Sequence, residues 1–138
     1  MVKIPEEAKA VFTKQRQIPI ATVSSDGKPH EVYFMFWWWV DDEHMAIVEN
    51  LFNKTHDNLV KKGWASIAAF DMSVHKAYQI KCKAEYLTSG PIYEMRKDKM
   101  EELMKGSTKQ LPAKAVWLLK AEEIYTIAPG PESGKKIA

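Results

Sequence analysis

Hydrophobic positions recur along this chain with two periods, one near 3.6 residues and one of two, and they predict about six strands and two or three helices. Pro5-Glu6-Glu7 opens a helix: proline suits the first helical position, and acids suit the positive end of the dipole. Ala8, Val11 and Phe12 form its apolar face, and Pro19 ends it, because the residue before a proline avoids the α region. Ile18 to Ser24 reads as a strand and Ser25-Asp26-Gly27-Lys28 as a hairpin turn. One returning strand is predicted from His30 to Val40. Asp41-Asp42-Glu43 turns the chain into a third strand, His44 to Glu49, and the loop Asn50 to Asn53 leads to a helix over Lys54–Lys62, closed by Gly63. A fourth strand spans Trp64 to Phe70. A fifth spans His75 to Leu87, with Tyr78, Ile80, Cys82 and Ala84 on one face and Ala77, Gln79, Lys81 and Lys83 on the other. Ser89-Gly90-Pro91 opens a second clear helix running to about Lys105, with Gly106 ending it. Ala115–Leu119 and Ile124–Ile127 read as final strand segments broken by Lys120-Ala121-Glu122-Glu123, and the turn-rich residues 129–138 read as a mobile tail.

The second strand departs from simple alternation. Tyr33, Phe34, Phe36, Trp37, Trp38 and Trp39 place aromatics on both of its faces. Such a strand needs two covers, its own core on one side and a partner subunit, a helix or a flat ligand on the other. One helix lies between the third and fourth strands, so parallel winding is not expected. The reading is a mainly β single domain over residues 1–128, a small closed or partly closed antiparallel barrel with a few helices.

Composition narrows the class. With 138 residues, 46% hydrophobic and 28% charged, the chain is one foldable domain. Twenty basic and 18 acidic residues give a net charge of +2, spread without a basic stripe, so a nucleic-acid partner is not expected. Cys82 is the single cysteine, which suits a reducing compartment. Met1 to Glu7 carry no apolar signal core, and the apolar run Val32–Val40 is too short to span a bilayer, so a cytoplasmic, membrane-free protein is expected.

The chemistry-bearing residues are few. No glycine-rich phosphate loop or serine elbow is present, and His30, His44, His56 and His75 fall at no metal-ligand spacing, so no metal is expected. Cys82 in mid-strand reads as a buried, inert thiol. The segment Asn53-Lys54-Thr55-His56-Asp57-Asn58-Leu59 is more informative. A loop enters a helix whose first N–H groups lie near Lys54, Thr55 and His56, a ready anion site to which Lys54 adds a charge and Thr55 a hydroxyl. The alternative is that Asn53 or Thr55 merely caps the helix. An anion cradle beside strands rich in flat aromatics suits a phosphorylated planar heterocycle. The alternative for the tryptophans is dimer packing.

Ile20-Ala21-Thr22-Val23 with Asp26-Gly27-Lys28-Pro29-His30, then Met45-Ala46-Ile47-Val48-Glu49-Asn50, then Lys54 to Leu59 with Ala65-Ser66-Ile67, then Tyr78 to Ala84, occur in an order that resembles the pyridoxamine 5'-phosphate oxidase-like, FMN-binding split-barrel family, and its small single-domain members above all. The resemblance implies a six-stranded antiparallel Greek-key split barrel, a homodimer with two FMN molecules in its interface grooves, and flavin oxidoreductase or electron-transfer chemistry. By position, Lys54 and Thr55 would bind the FMN phosphate, with Asn58 on the same helix. Tyr33, Phe34 and Met35 would lie along the ring, Val48, Glu49 and Asn50 near the ring or ribityl chain, and Gln79 near the flavin from the same or the partner subunit. No catalytic residue is assigned; Tyr33, His44 and Glu49 are expected only to lie near the groove. The arginine-rich C-terminal substrate site of true pyridoxamine-phosphate oxidases has no counterpart in Gly134-Lys135-Lys136-Ile137-Ala138, so vitamin B6 oxidation is not expected. Alternatives within the fold are a deazaflavin, with Lys61 and Lys62 meeting its anionic tail, and haem, with His30, His56 or His75 as axial ligand. A further alternative is a ligand-free dimeric binding module.

Overall fold

The computed structural model describes residues 1–105 and 111–138. Its elements are α1 (Glu6–Gln15), β1 (Ile18–Val23), β2 (Pro29–Phe34), β3 (Trp37–Trp39), β4 (His44–Glu49), α2 (Lys54–Lys62), β5 (Trp64–Asp71), β6 (Lys76–Leu87), α3 (Pro91–Glu94), α4 (Arg96–Leu103) and β7 (Ala115–Thr126). The seven strands form one antiparallel sheet in the order β2-β1-β5-β6-β7-β4-β3. The fold is therefore mainly β, with seven strands where six were expected.

The extra strand comes from the aromatic segment. Phe34 and Trp37 are both buried, and they are three residues apart. Side chains alternate faces along a strand, so an odd separation cannot put both inward on one straight strand. The chain breaks at Met35-Phe36, and the expected single strand from His30 to Val40 becomes two. β2 pairs with β1 and β3 with β4, at opposite edges of the sheet. Seven flat strands would hold those edges about 29 Å apart, at about 4.8 Å per gap. Three Cα–Cα steps from Phe34 to Trp37 reach at most about 11 Å. The sheet therefore curls into an open half-barrel.

Arg16 fixes this corner. Its guanidinium stacks on the Trp37 ring at 4.2 Å and donates to the Trp37 carbonyl, while the Trp37 indole N–H donates back to the Arg16 carbonyl at 2.8 Å. Both covers for the tryptophans come from the chain itself. Trp37 enters the core, and Trp39 packs edge-on against Phe12 of α1 at 5.9 Å and donates to Thr13. Trp38, on the other face, meets Lys99 of α4.

The core continues through Ile18, Ile20, Ile47, Leu59, Ile67, Ile80, Leu119 and Ile124. Gly63 closes α2 with φ of 74°, a left-handed conformation that favours glycine. The second clear helix is two pieces, α3 and α4, that meet at Met95; the end expected at Gly106 lies outside the described residues. The last strand is continuous, with no break at Lys120–Glu123. A bulge opposite Lys81/Cys82 absorbs the irregular pattern there. Residues 134–138 return along β7 beyond the end of β4, with Tyr125 bridged to Lys136 and the Ile137 amide bonded to the Ile124 carbonyl at 2.8 Å.

Cys82 is buried in β6, and burial pushes its thiol well above the ordinary value of 9.0. A raised acid keeps its neutral form in the folded state. Its contribution to stability is complete below the ordinary thiol pKa and is lost as pH rises from there toward the folded value. Thermal melts are expected to fall above about pH 9, with a shallower fall in Cys82→Ala. Native protein is expected to resist thiol reagents that label it in urea. Rapid labelling of the native protein would contradict this placement.

Candidate functional site

A cleft of about 700 Å³ opens where the β2–β3 corner, the end of β4 and the start of α2 converge. Val32, Tyr33, Phe34, Met35 and Phe36 form one wall. Val48, Asn50, Leu51 and Phe52 form a second, and Asn53, Lys54 and Thr55 form the third. Its size is that of an ordinary small-molecule or cofactor site.

The third wall follows from how α2 begins. The first intrahelical bond runs from the Asp57 amide to the Asn53 carbonyl, at 3.1 Å. The amides of Lys54, Thr55 and His56 thus have no carbonyl four residues back within the helix. Asn53 has φ −127° and ψ −85°, away from a capping conformation, and makes no side-chain cap bond among the described residues. The Lys54 side chain is exposed, whereas Thr55 is buried. The helix is held against β1 by Asn58, whose amide donates to the buried Thr22 hydroxyl at 3.0 Å.

Of the ten residues expected at a flavin site, Tyr33, Phe34, Met35, Val48, Asn50, Lys54 and Thr55 line this cleft. Three do not. Asn58 is buried on Thr22. Gln79 lies in β6 and donates to Ser66 of β5 at 3.0 Å. Glu49 falls between the cleft-lining Val48 and Asn50, so strand alternation turns it to the opposite face. There it is buried and accepts hydrogen bonds from His56 Nδ1 at 2.5 Å, Tyr86 at 2.6 Å and the Trp117 indole at 3.2 Å.

The other chemistry-bearing residues are scattered. His30 lines the cleft, His44 is held by Asp41 at 2.9 Å, and His75 is the last residue of the β5–β6 turn, with φ of 53°. Lys61 and Lys62 lie at the far end of α2 from Lys54, about 12 Å away at 1.5 Å per residue, and Lys62 lines a separate cleft of about 450 Å³. Gln17, Leu51, Phe52 and Leu111 line the main cleft without having been singled out in the sequence, and Phe36, noted there among the aromatics of the second strand, joins them. Leu51-Phe52 carried a signal, an apolar pair in a loop; Gln17 and Leu111 carried none, because the folding of distant segments brings them there. Among the described residues no group of three or more metal-ligating side chains occurs, and no helix is long and apolar enough to cross a membrane.

Comparison with known proteins places this geometry. An uncharacterized protein of Methanocaldococcus jannaschii is 30% identical over 141 residues, covering 100% of this chain and 90% of that protein. The crystal structure of HupZ from Group A Streptococcus is 25% identical with a TM-score of 0.79, covering 98% of this chain and 99% of that one. An FMN-binding protein from Syntrophomonas wolfei shares the fold at 15% identity, TM-score 0.74, covering 91% of this chain and 86% of that one. The fold also recurs in an F420 reductase (15% identity, TM-score 0.68, 88% and 98% covered) and in HutZ, the haem storage protein of Vibrio cholerae (16%, 0.68, 92% and 97%). The family model described as pyridoxamine 5'-phosphate oxidase matches residues 4–128, and with that match over a curled antiparallel sheet the chain belongs to the pyridoxamine 5'-phosphate oxidase family, in its split-barrel fold.

Proposed function

We propose that this protein is an FMN-binding flavoprotein, an oxidoreductase or electron carrier of a reducing cytoplasm, with the flavin in the cleft between β2, β4 and α2. The observation that carries the reading is the uncapped start of α2, with Lys54 and Thr55, opening onto a wall of flat and apolar side chains. Fixed N–H groups and a lysine suit a phosphate, and Tyr33, Phe34, Met35 and Val48 suit a ring. Bound flavin would supply hydride and single-electron chemistry, and the protein would bind, orient and tune it. Tyr33 and Leu51, 68% and 69% exposed, lie at this cleft. That apolar rim supports a homodimer that covers it, in place of the tryptophans, which the chain covers itself.

An absorption spectrum of protein saturated with FMN tests the reading. Bound flavin bands and quenched flavin fluorescence are expected, and protein that leaves FMN free overturns it. A second reading, haem, is favoured by His30 in the cleft wall; a Soret band that is lost in His30→Ala would select it. The deazaflavin reading lacks its expected basic extension, because Lys61 and Lys62 are at the wrong end of α2.

A further inference from the structure

Glu49, itself buried, anchors a partly buried cluster that the proposed chemistry does not use. One carboxylate accepts from three side chains on three elements: His56 on α2, Tyr86 on β6 and Trp117 on β7. The three rings also enclose one another. His56 stands edge-on to Tyr86 at 5.1 Å and to Trp117 at 5.7 Å, and Tyr86 lies against Trp117 at 4.6 Å. Tyr86 and Trp117 are direct partners across the β6–β7 ladder, so the far side of this clamp is built on paired sheet backbone. Burial and the bond to Glu49 push the Tyr86 phenol up to about 12, so it remains a donor throughout the neutral range.

The cluster grips one particular place. His56 is the third residue of α2, in the same turn as Lys54 and Thr55, and its backbone amide is one of the three without an intrahelical partner. A helix start with no side-chain cap is free to fray, and a frayed turn does not hold its N–H groups convergent. The carboxylate holds that turn from behind, on the opposite face of β4 from the cleft.

We propose that Glu49 is a positioning residue: acting through His56, and backed by Tyr86 and Trp117, it fixes the first turn of α2 so that its amides converge on an anionic ligand group. This rests on the FMN reading above. It makes a prediction opposite in sign to simple electrostatics. A carboxylate near an anion site repels the anion, so neutralising it without moving anything would tighten binding. Neutralising a carboxylate that holds the turn in place loosens binding instead.

The test is titration of FMN and riboflavin, by flavin fluorescence, into wild type, Glu49→Gln, Tyr86→Phe, His56→Ala and His56→Asn, with thermal melts of each. Glu49→Gln and Tyr86→Phe are each expected to weaken FMN about two- to tenfold, the worth of one partly buried hydrogen bond. Riboflavin, which lacks the phosphate, is expected to stay within about twofold of wild type in the same variants. His56→Ala is expected to lose part of the discrimination between the two ligands, the charge of Lys54 retaining the rest, and His56→Asn, which keeps an N–H near the position of Nδ1, to regain some of what is lost. Should Glu49→Gln not fold, Tyr86→Phe, which keeps the charge and the ring, carries the same comparison. Three outcomes overturn the proposal: FMN binding unchanged or tighter in Glu49→Gln and unchanged in Tyr86→Phe; equal weakening of both ligands, the mark of a merely structural role; or discrimination intact in His56→Ala. Wild type that binds no FMN overturns the flavin reading together with this one. Wild type that discriminates while the variants match it overturns this one alone.

Discussion

Lys54→Ala is expected to weaken FMN binding by about one order of magnitude while riboflavin binding stays within about twofold of wild type. The FMN phosphate carries nearly two negative charges at neutral pH, and riboflavin shares the ring and ribityl chain without them. A hydrogen bond to a charged group contributes about 1.5–3 kcal/mol, or ten- to a hundredfold in affinity. Lys54 is exposed, so solvent and salt screen it, and the lower end of that range applies. The amides of α2 remain in the variant and retain part of the discrimination. Raising salt should therefore weaken FMN binding to wild type more than to Lys54→Ala, and leave riboflavin almost unaffected. Thr55→Val keeps the shape of a buried side chain and removes a neutral donor, so a smaller loss is expected. Equal FMN affinity in Lys54→Ala and wild type would return this segment to an ordinary helix start.

Trp37→Ala should be the most damaging single change to the fold, costing about 3–5 kcal/mol in urea unfolding. Trp37 is fully buried, stacked under the Arg16 guanidinium and edge-on to Trp39 at 5.3 Å. Truncation leaves a cavity in the core and takes the indole donor from the Arg16 carbonyl. It also releases the corner that holds the two sheet edges together. Arg16 has φ of 66°, a strained conformation for a residue with a side chain, and there its amide donates to the Phe12 carbonyl while its own carbonyl accepts from the Trp37 indole, the second of which the truncation removes. Most domains have only about 5–15 kcal/mol to lose, so partial unfolding at room temperature is expected. Trp37→Phe keeps a ring under Arg16 and should lose much less. Trp38→Ala removes a half-buried ring that contacts Lys99, outside the core, and should cost less than about 1.5 kcal/mol. Equal losses from Trp37→Ala and Trp38→Ala would show that the strand is covered equally on both faces, contrary to this packing.

The local elements and the uncapped turn that opens α2 were legible in the residues themselves. The start of α2 at Lys54, its end at Gly63, the β4 boundaries and the alternation of β6 match the expected positions, because caps, turns and side-chain period are set by residues a few places apart. Family likeness follows from the same local order, and seven of the ten residues named from it line one cleft. Tertiary structure decided the rest. Two strands stand where one was read because both Phe34 and Trp37 had to reach one core, a demand that no short window contains. Helices α1 and α4, each remote from β3 in sequence, cover the tryptophans that suggested a partner. Glu49 left the expected site for the opposite face, since its partners Tyr86 and Trp117 lie 37 and 68 residues away and only sheet pairing brings them together. Sequence period says that a side chain must alternate; which face becomes core, cleft or clamp is fixed by what the distant parts of the chain place against it.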